Sequence, residues 1–203
     1  MKKPVFYTNP MSRGRITRWM LEETGLDYDT VVLDYETSMK ADEYLAINPM
    51  GKVPAIVHND HVVTENSAII LYLADLVPEK KLAPAPGSLL RGDYYRWIAF
   101  LSGPFEAFTT AKTAGALAKP TAAGYGNEAD LFNTLDSALG KGMFLAGDHF
   151  TAADLYMAAY LGFYQRFKLL PDKPLYSDYV AFHMSRPACK AAQAKDNALM
   201  PQT

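Results

Sequence analysis

Near the start of the chain Tyr7, Thr8 and Ser12 bring three hydroxyls close together. Val5-Phe6-Tyr7 reads as a short strand, Asn9-Pro10 breaks it, and Ile16, Trp19 and Met20 at i, i+3 and i+4 begin a helical pattern that Gly25 closes. The hydroxyls therefore stand where a strand gives way to a helix N-terminus, and such a place stabilises an anion. A thiolate is one such anion. A thiol of pKa about 8.5 is only a few per cent ionised at pH 7, and lowering it by two units takes about 2.7 kcal/mol. One hydroxyl donor together with the helix dipole supplies stabilisation of that order. Taken alone, Ser12 is an ordinary helix cap.

Pro54 poses a second question, because it opens what otherwise reads as a buried strand and cannot donate to a ladder there. In either isomer it directs the backbone N–H and C=O of Val53 away from regular pairing, so an extended peptide could add to them as a strand. Further on, Glu65-Asn66 opens a helix at the end of another strand, placing a carboxylate beside unpaired backbone N–H groups. That combination suits a zwitterion: the helix N-terminus attracts a carboxylate and Glu65 an ammonium, as in an α-amino acid head. The plainer reading is that Glu65 and Asn66 cap their own helix.

The elements that must hold these residues follow from periodicity. Tyr28 to Leu33 is a second strand, and strand-helix-strand order implies a parallel pair with a right-handed crossover. A short helix covers Ala41 to Ile47. Val53 to His58 and His61 to Thr64 make an antiparallel hairpin across Asn59-Asp60. The helix after Glu65 turns Ile69, Ile70, Leu73 and Leu76 inward and stops before Pro78. The expected first domain, residues 1–77, is thus β-α-β-α-β-β-α around a mixed sheet. Alternating Ala and Pro mark a linker over 78–87. From 88 to 203 only helical spacing remains, including Tyr94, Trp97 and Leu101, then Leu131, Leu135 and Leu139. One helix start there is clearly written: Thr151 as N-cap, Asp154 three residues on, with Phe150 and Leu155 as a hydrophobic staple.

Composition excludes several classes. The 203 residues carry 20 Lys and Arg against 22 Asp and Glu, a net charge of −2, so no whole-chain field draws nucleic acid or an anionic membrane. The chain is 49% hydrophobic and 21% charged, the balance of a soluble globular protein, and the apolar run from Ala68 to Ala74 is far too short for a bilayer span. The single Cys189 permits neither an internal disulfide nor a multi-cysteine zinc site. His58 and His61 flank a hairpin turn and lack the further ligands a metal needs, so no metal is expected. Four mainly apolar residues before Thr8 are too few for a signal peptide, which makes the cytoplasm the expected location.

Taken in order, Tyr7 at a strand end, Pro10-Met11-Ser12-Arg13-Gly14-Arg15 leading into Trp19-Met20-Leu21-Glu22-Glu23, Asn48-Pro49-x-Gly51-Lys52-Val53-Pro54-Ala55, and Glu65-Asn66-Ser67-Ala68-Ile69 running to Tyr72-Leu73-Ala74 resemble a cytosolic glutathione transferase. Phe150-Thr151-Ala152-Ala153-Asp154 is similar to that family's capping motif, so the likeness spans the chain. It implies an α/β thioredoxin-like N-terminal domain that binds glutathione, an all-α C-terminal domain that takes the electrophile, and a homodimer. By the same resemblance, Val53 pairs its backbone with the cysteinyl part of glutathione beside a cis-Pro54. Glu65 and Asn66 hold the γ-glutamyl end, and Lys52 and Lys40 meet the glycyl carboxylate. The family often has Ser where Asn66 stands. The thiol is activated by Ser12 or Tyr7, Ser12 being preferred because the helix dipole assists it. Arg13 and Arg15 either add positive potential at the sulfur or are plain surface arginines. Phe100, Phe105 and Phe108 are candidates for an electrophile pocket or for core. With no Cys in the first helix turn, mixed-disulfide chemistry is not expected, and Cys189 reads as a small buried hydrophobe. The implied activity is conjugation of glutathione to small apolar electrophiles in detoxification. The rivals are a non-catalytic glutathione-binding or scaffold protein, or a glutathione-dependent isomerase, dehalogenase or peroxidase on the same fold.

Overall fold

The alternating side chains of β1 (Val5–Thr8) send Phe6 and Thr8 to full burial on one face of a sheet, and this strand lies at its centre. The architecture comes from a computed structural model that describes residues 2–200; Met1 and residues 201–203, the outermost ends of the expected domains, lie outside the described residues. After α1 (Gly14–Thr24), capped by Gly25 in the left-handed region with its N–H on Leu21 O, the chain returns as β2 (Asp29–Val32), parallel to β1. A 3₁₀ turn at Ser38–Lys40 and α2 (Asp42–Leu45), shorter than expected, lead to β3 (Ala55–His58) and β4 (His61–Thr64). Asn59 and Asp60 both take positive φ, the geometry of a two-residue hairpin turn. The sheet order is β2-β1-β3-β4, with β3 antiparallel to both its neighbours. Then α3 (Asn66–Leu76) buries Ile69, Ile70, Leu73 and Ala74, while Leu76 remains half-buried.

The thioredoxin-like mixed sheet is therefore as the sequence led one to expect, and one boundary is not. Two compact units divide the chain: the first takes residues up to Lys80 together with those from Arg186 onward, and the second is Lys81–Ser185. The break falls inside the expected linker. The last helix, α9 (Pro187–Ala198, numbered here in chain order), was expected in the helical domain and instead packs on α1.

Ion pairs fix α9 there. Arg18 and Asp196, 2% and 1% exposed, pair at 2.6 Å, and the Arg18 guanidinium also donates to Tyr28 and Thr30 while lying 5.1 Å from the centre of the Phe6 ring. Arg186 grips Glu23 with two nitrogens, and Lys195 reaches Glu22. Hydrophobic periodicity says that a helix buries a stripe and is silent on which core receives it.

The second unit is helical among its described residues: α4 (Leu90–Phe100), a π-helical turn at Leu101–Phe105 containing Pro104, α5 (Glu106–Thr113), α6 (Glu128–Leu139), α7 (Ala152–Arg166) and α8 (Pro174–Met184). The proline has no N–H to give to the α-ladder, which accounts for the wider turn. The start of α7 forms the expected capping box. Asp154, wholly buried, accepts from the Thr151 N–H and hydroxyl, the Leu145 N–H and the Tyr179 hydroxyl. Burial pushes the Asp154 carboxyl up, and these donors oppose it.

Candidate active site

Ser12 stands in a loop whose every turn is tied down. Asn9, buried just past β1, donates from Nδ2 to Leu33 O at 2.8 Å and accepts the Met11 N–H on Oδ1 at 2.9 Å. Its carbonyl takes both the N–H of Ser12 at 3.0 Å and the hydroxyl at 2.7 Å. Ser12 Oγ in turn accepts the Gly14 N–H at 2.9 Å, so the side chain sits one residue before the helix N-cap, Arg13, and holds the first N–H of α1. Gly14 is obligatory here: a Cβ would lie 2.1 Å from Thr8 Oγ1 and 2.9 Å from Ser12 Oγ.

Tyr7, the other candidate hydroxyl, points to the opposite face of β1. Its half-buried ring packs against Leu33, Met39 and Ala55 and lies 5.5 Å from the Tyr44 ring. Sequence reasoning missed Tyr35. In the turn after β2, half exposed, its hydroxyl is hydrogen-bonded with Ser12; burial raises its pKa and this bond opposes the rise. A signal existed in the parallel pairing of β1 and β2, which sets Thr8 beside Val32 and thus brings the two following turns together.

A second loop carries Lys52, Val53 and Pro54. The Lys52 carbonyl is held by the Tyr44 hydroxyl at 2.5 Å and Asn48 Nδ2 at 2.8 Å. Burial pushes Tyr44 up to about 12, with Asn48 opposing and Tyr7 adding, so Tyr44 stays a neutral donor at physiological pH. Lys40 turns inward to the carbonyls of Met50 and Gly51, both at 3.0 Å, so two of its three protons brace the loop. Gly51 has φ 56°, and a Cβ would come within 2.6 Å of Met39 O. Lys52 itself is exposed. The Val53-Pro54 bond is cis. Among the described residues no backbone hydrogen bond engages Val53, because the β3 ladder begins only at Ala55.

Glu65 precedes α3 with a positive φ of 65°, and its carboxylate makes no capping bond to the helix. The first intrahelical bond runs from Ile69 to Glu65 O, which leaves the N–H groups of Asn66, Ser67 and Ala68 outside the helical ladder. Asn66 does not cap either. Its Oδ1 accepts from Thr17 at 2.8 Å and its Nδ2 donates to Arg13 O at 3.1 Å, so the side chain is committed to α1 and only its backbone remains for a ligand.

Sheet register brings the three loops together. Tyr7 lies opposite Ala55, and Ala55 opposite Thr64. The end of β1, the start of β3 and the end of β4 therefore share one edge of the first unit, and Asn66 stitches the start of α3 to the start of α1. A model of the glutathione S-transferase N-terminal domain matches residues 11–76, and one of the C-terminal domain matches residues 118–187. The chain belongs to the glutathione S-transferase family.

The transferase is 30% identical to a glutathione S-transferase of Xanthomonas campestris pv. campestris over 74% of this chain and 78% of that protein. It is 28% identical to glutathione S-transferase 3 of Zea mays over 66% of each. Among solved structures it is similar to a glutathione transferase of Methylococcus capsulatus, with TM-score 0.79, 28% identity, and 96% and 99% of the two chains covered. It also resembles one from Phanerochaete chrysosporium in complex with oxidized glutathione, with TM-score 0.80, 26% identity and 98% of each chain covered.

In the transferase's helical unit the three candidate phenylalanines separate. Phe105 packs against Tyr160 and Tyr164, and Phe108 against Phe132 and Tyr125; both are wholly buried and offer no surface to a ligand. They are core, the second of the two readings that the sequence leaves open. Phe100, at the junction of α4 and the π-helical turn, remains half-buried with surface to offer. Cys189 is buried, as its reading as a small hydrophobe implied, and burial pushes its thiol up to about 11. No helix among the described residues is long and apolar enough to cross a membrane.

Proposed function

We propose that this transferase binds glutathione along the shared sheet edge of its first unit, ionises the thiol with the Ser12 hydroxyl, and adds the sulfur to small hydrophobic electrophiles. The observation that carries the reading is the unpaired backbone of Val53, held in place by the Tyr44 and Asn48 grip on Lys52 O and flanked by the free first turn of α3. Val53 pairs with the cysteinyl residue as an added strand. The γ-glutamyl carboxylate takes the α3 N–H groups while its ammonium meets Glu65. Lys52 meets the glycyl carboxylate, with Lys40 secondary because its ammonium already braces the loop.

At the sulfur the thiol gives its proton to solvent, and the thiolate accepts a hydrogen bond from Ser12 within the field of α1. The sulfur lone pair then forms the new bond to the electrophilic carbon, whose leaving group departs with its electron pair or whose adjacent carbon takes a proton. Tyr7 is the weaker candidate because its ring packs with Tyr44. In the helical unit Phe100 offers apolar surface for the electrophile. We further propose a cytoplasmic homodimer acting in detoxification.

The test follows the ultraviolet absorbance of the bound thiolate against pH in wild type, Ser12→Ala and Tyr7→Phe. Ser12→Ala is expected to raise the bound thiol's pKa and Tyr7→Phe to leave it in place. The reverse pattern would transfer the role to Tyr7. A wild type that never lowers that pKa would favour a binding or scaffold protein over an enzyme of conjugation.

A further inference from the structure

The C-terminal helix reaches the loop that carries Ser12. Arg15, on the first turn of α1, donates from Nε to Pro10 O at 2.6 Å, and both its terminal nitrogens donate to Asn197 Oδ1 at 3.0 Å. Asn197 is the second-last residue of α9. One guanidinium thus joins the loop two residues before Ser12 to a helix from the other end of the chain. Another fastening, through Asn9 to Leu33 O, acts on the side of the loop that follows β1.

We propose that Asn197 and Arg15 are positioning residues for the thiol site: α9 is a strap that holds the Pro10–Ser12 loop so that the Ser12 hydroxyl and the α1 N-terminus address the same sulfur. This rests on the Ser12 reading above. The mechanism is geometric. With five donors in a planar fork, Arg15 spans Pro10 and Asn197 at once, which a lysine ammonium at the same position does not reproduce. A direct electrostatic role would need only its charge.

Two variants separate the possibilities. Asn197→Ala keeps the Arg15 charge and removes its anchor; Arg15→Lys keeps the charge and removes the fork. Asn197 is exposed, so thermal unfolding of Asn197→Ala is expected within a few degrees of wild type. A helix-terminus or single-donor alignment is worth about 0.3–1 kcal/mol, so loosening it raises the bound thiol's pKa by about 0.2–0.7 units. Both variants are therefore expected to show that shift in thiolate absorbance, with kcat/KM reduced about two- to fivefold at pH 6.5 and the difference closing above the bound pKa. A scaffold role alone would lower activity equally at every pH and would overturn the proposal, as would a wild-type pKa in both variants. A shift in Asn197→Ala with none in Arg15→Lys would also overturn it, because the fork would then be dispensable. Ser12→Ala is measured in parallel. If it raises the pKa and the two strap variants do not, the strap alone falls; if Ser12→Ala leaves the pKa unchanged, the Ser12 reading falls and the strap with it.

Discussion

Removing the Asp196 carboxylate should be among the most damaging single changes to the first unit. Arg18 is 2% exposed and Asp196 1%, at 2.6 Å. Asp196→Ala leaves the guanidinium buried with two neutral hydroxyls, Tyr28 at 3.1 Å and Thr30 at 3.3 Å, and the Phe6 ring face. Stranding one partner of a buried pair costs about 3–5 kcal/mol, and the ring face, present in parent and variant alike, does not change that difference. The expected loss is about 3–5 kcal/mol, or a fall in Tm of about 6–20 °C for a chain of this size. The chain has two tryptophans, and Trp19 lies on α1 while Trp97 lies in the helical unit. In a Trp97→Phe background the fluorescence of Trp19 reports the first unit alone during denaturant unfolding. The double variant Arg18→Met with Asp196→Leu should recover most of the loss, since replacing both charges by apolar groups removes their desolvation cost. An Asp196→Ala transition within about 1 kcal/mol of the parent, well below the cost of a stranded buried ion, would refute the claim that this pair holds α9 to α1.

Gly14→Ala should cost about 1–3 kcal/mol by overpacking. By pushing Ser12 from its place it should also lower glutathione-conjugating kcat/KM about 10- to 100-fold; wild-type turnover would contradict the contact with Thr8 Oγ1. Asp154→Ala strands the N–H groups of Thr151 and Leu145 and the Tyr179 hydroxyl. At about 1–3 kcal/mol for each unsatisfied group, the helical unit should unfold several kcal/mol more easily as read from Trp97 fluorescence, and a loss below about 1 kcal/mol would show that other partners replace the carboxylate. Cys189, its thiol pushed up to about 11 by burial and by Glu23 against Gln193 and Arg186, should be about one part in a thousand thiolate at pH 8. A thiol reagent should therefore label it only after unfolding, and stoichiometric labelling of the native protein would count against that burial. Tyr35→Phe removes one hydroxyl from Ser12 and should raise the bound thiol's pKa by about half a unit, the equivalent of one modest hydrogen bond; an unchanged titration would make that hydroxyl a bystander.

Local chemistry was legible in the sequence wherever one short segment decided it. Asn59-Asp60 reads as a two-residue turn because few other residues accept positive φ twice in succession, and both do so. Thr151 and Asp154 read as a capping box because the bond is made within one turn. What escaped was decided by partners far apart in the chain. Nothing near residue 196 announces that its carboxylate pairs with Arg18, so α9 could be assigned to a helical class and not to a core. Asn66 reads as a helix cap or a ligand contact, yet Thr17 and Arg13 O claim its side chain first. Lys40 reads as a cation for a carboxylate, yet two backbone carbonyls are closer at hand. Phe105 and Phe108 share with Phe100 the spacing of a stripe, and spacing does not say which rings of a stripe face inward.

The place of α9 has a consequence for how the molecule is made. A ribosome delivers all of Lys81–Ser185 before it delivers the Asp196 that neutralises Arg18 and the Asn197 that anchors Arg15. The helical unit therefore has its full complement of residues while the sheet unit, though begun first, still lacks its closing helix. The earlier-begun domain, which usually matures first during synthesis, here has part of its own packing supplied by residues made after the whole helical unit.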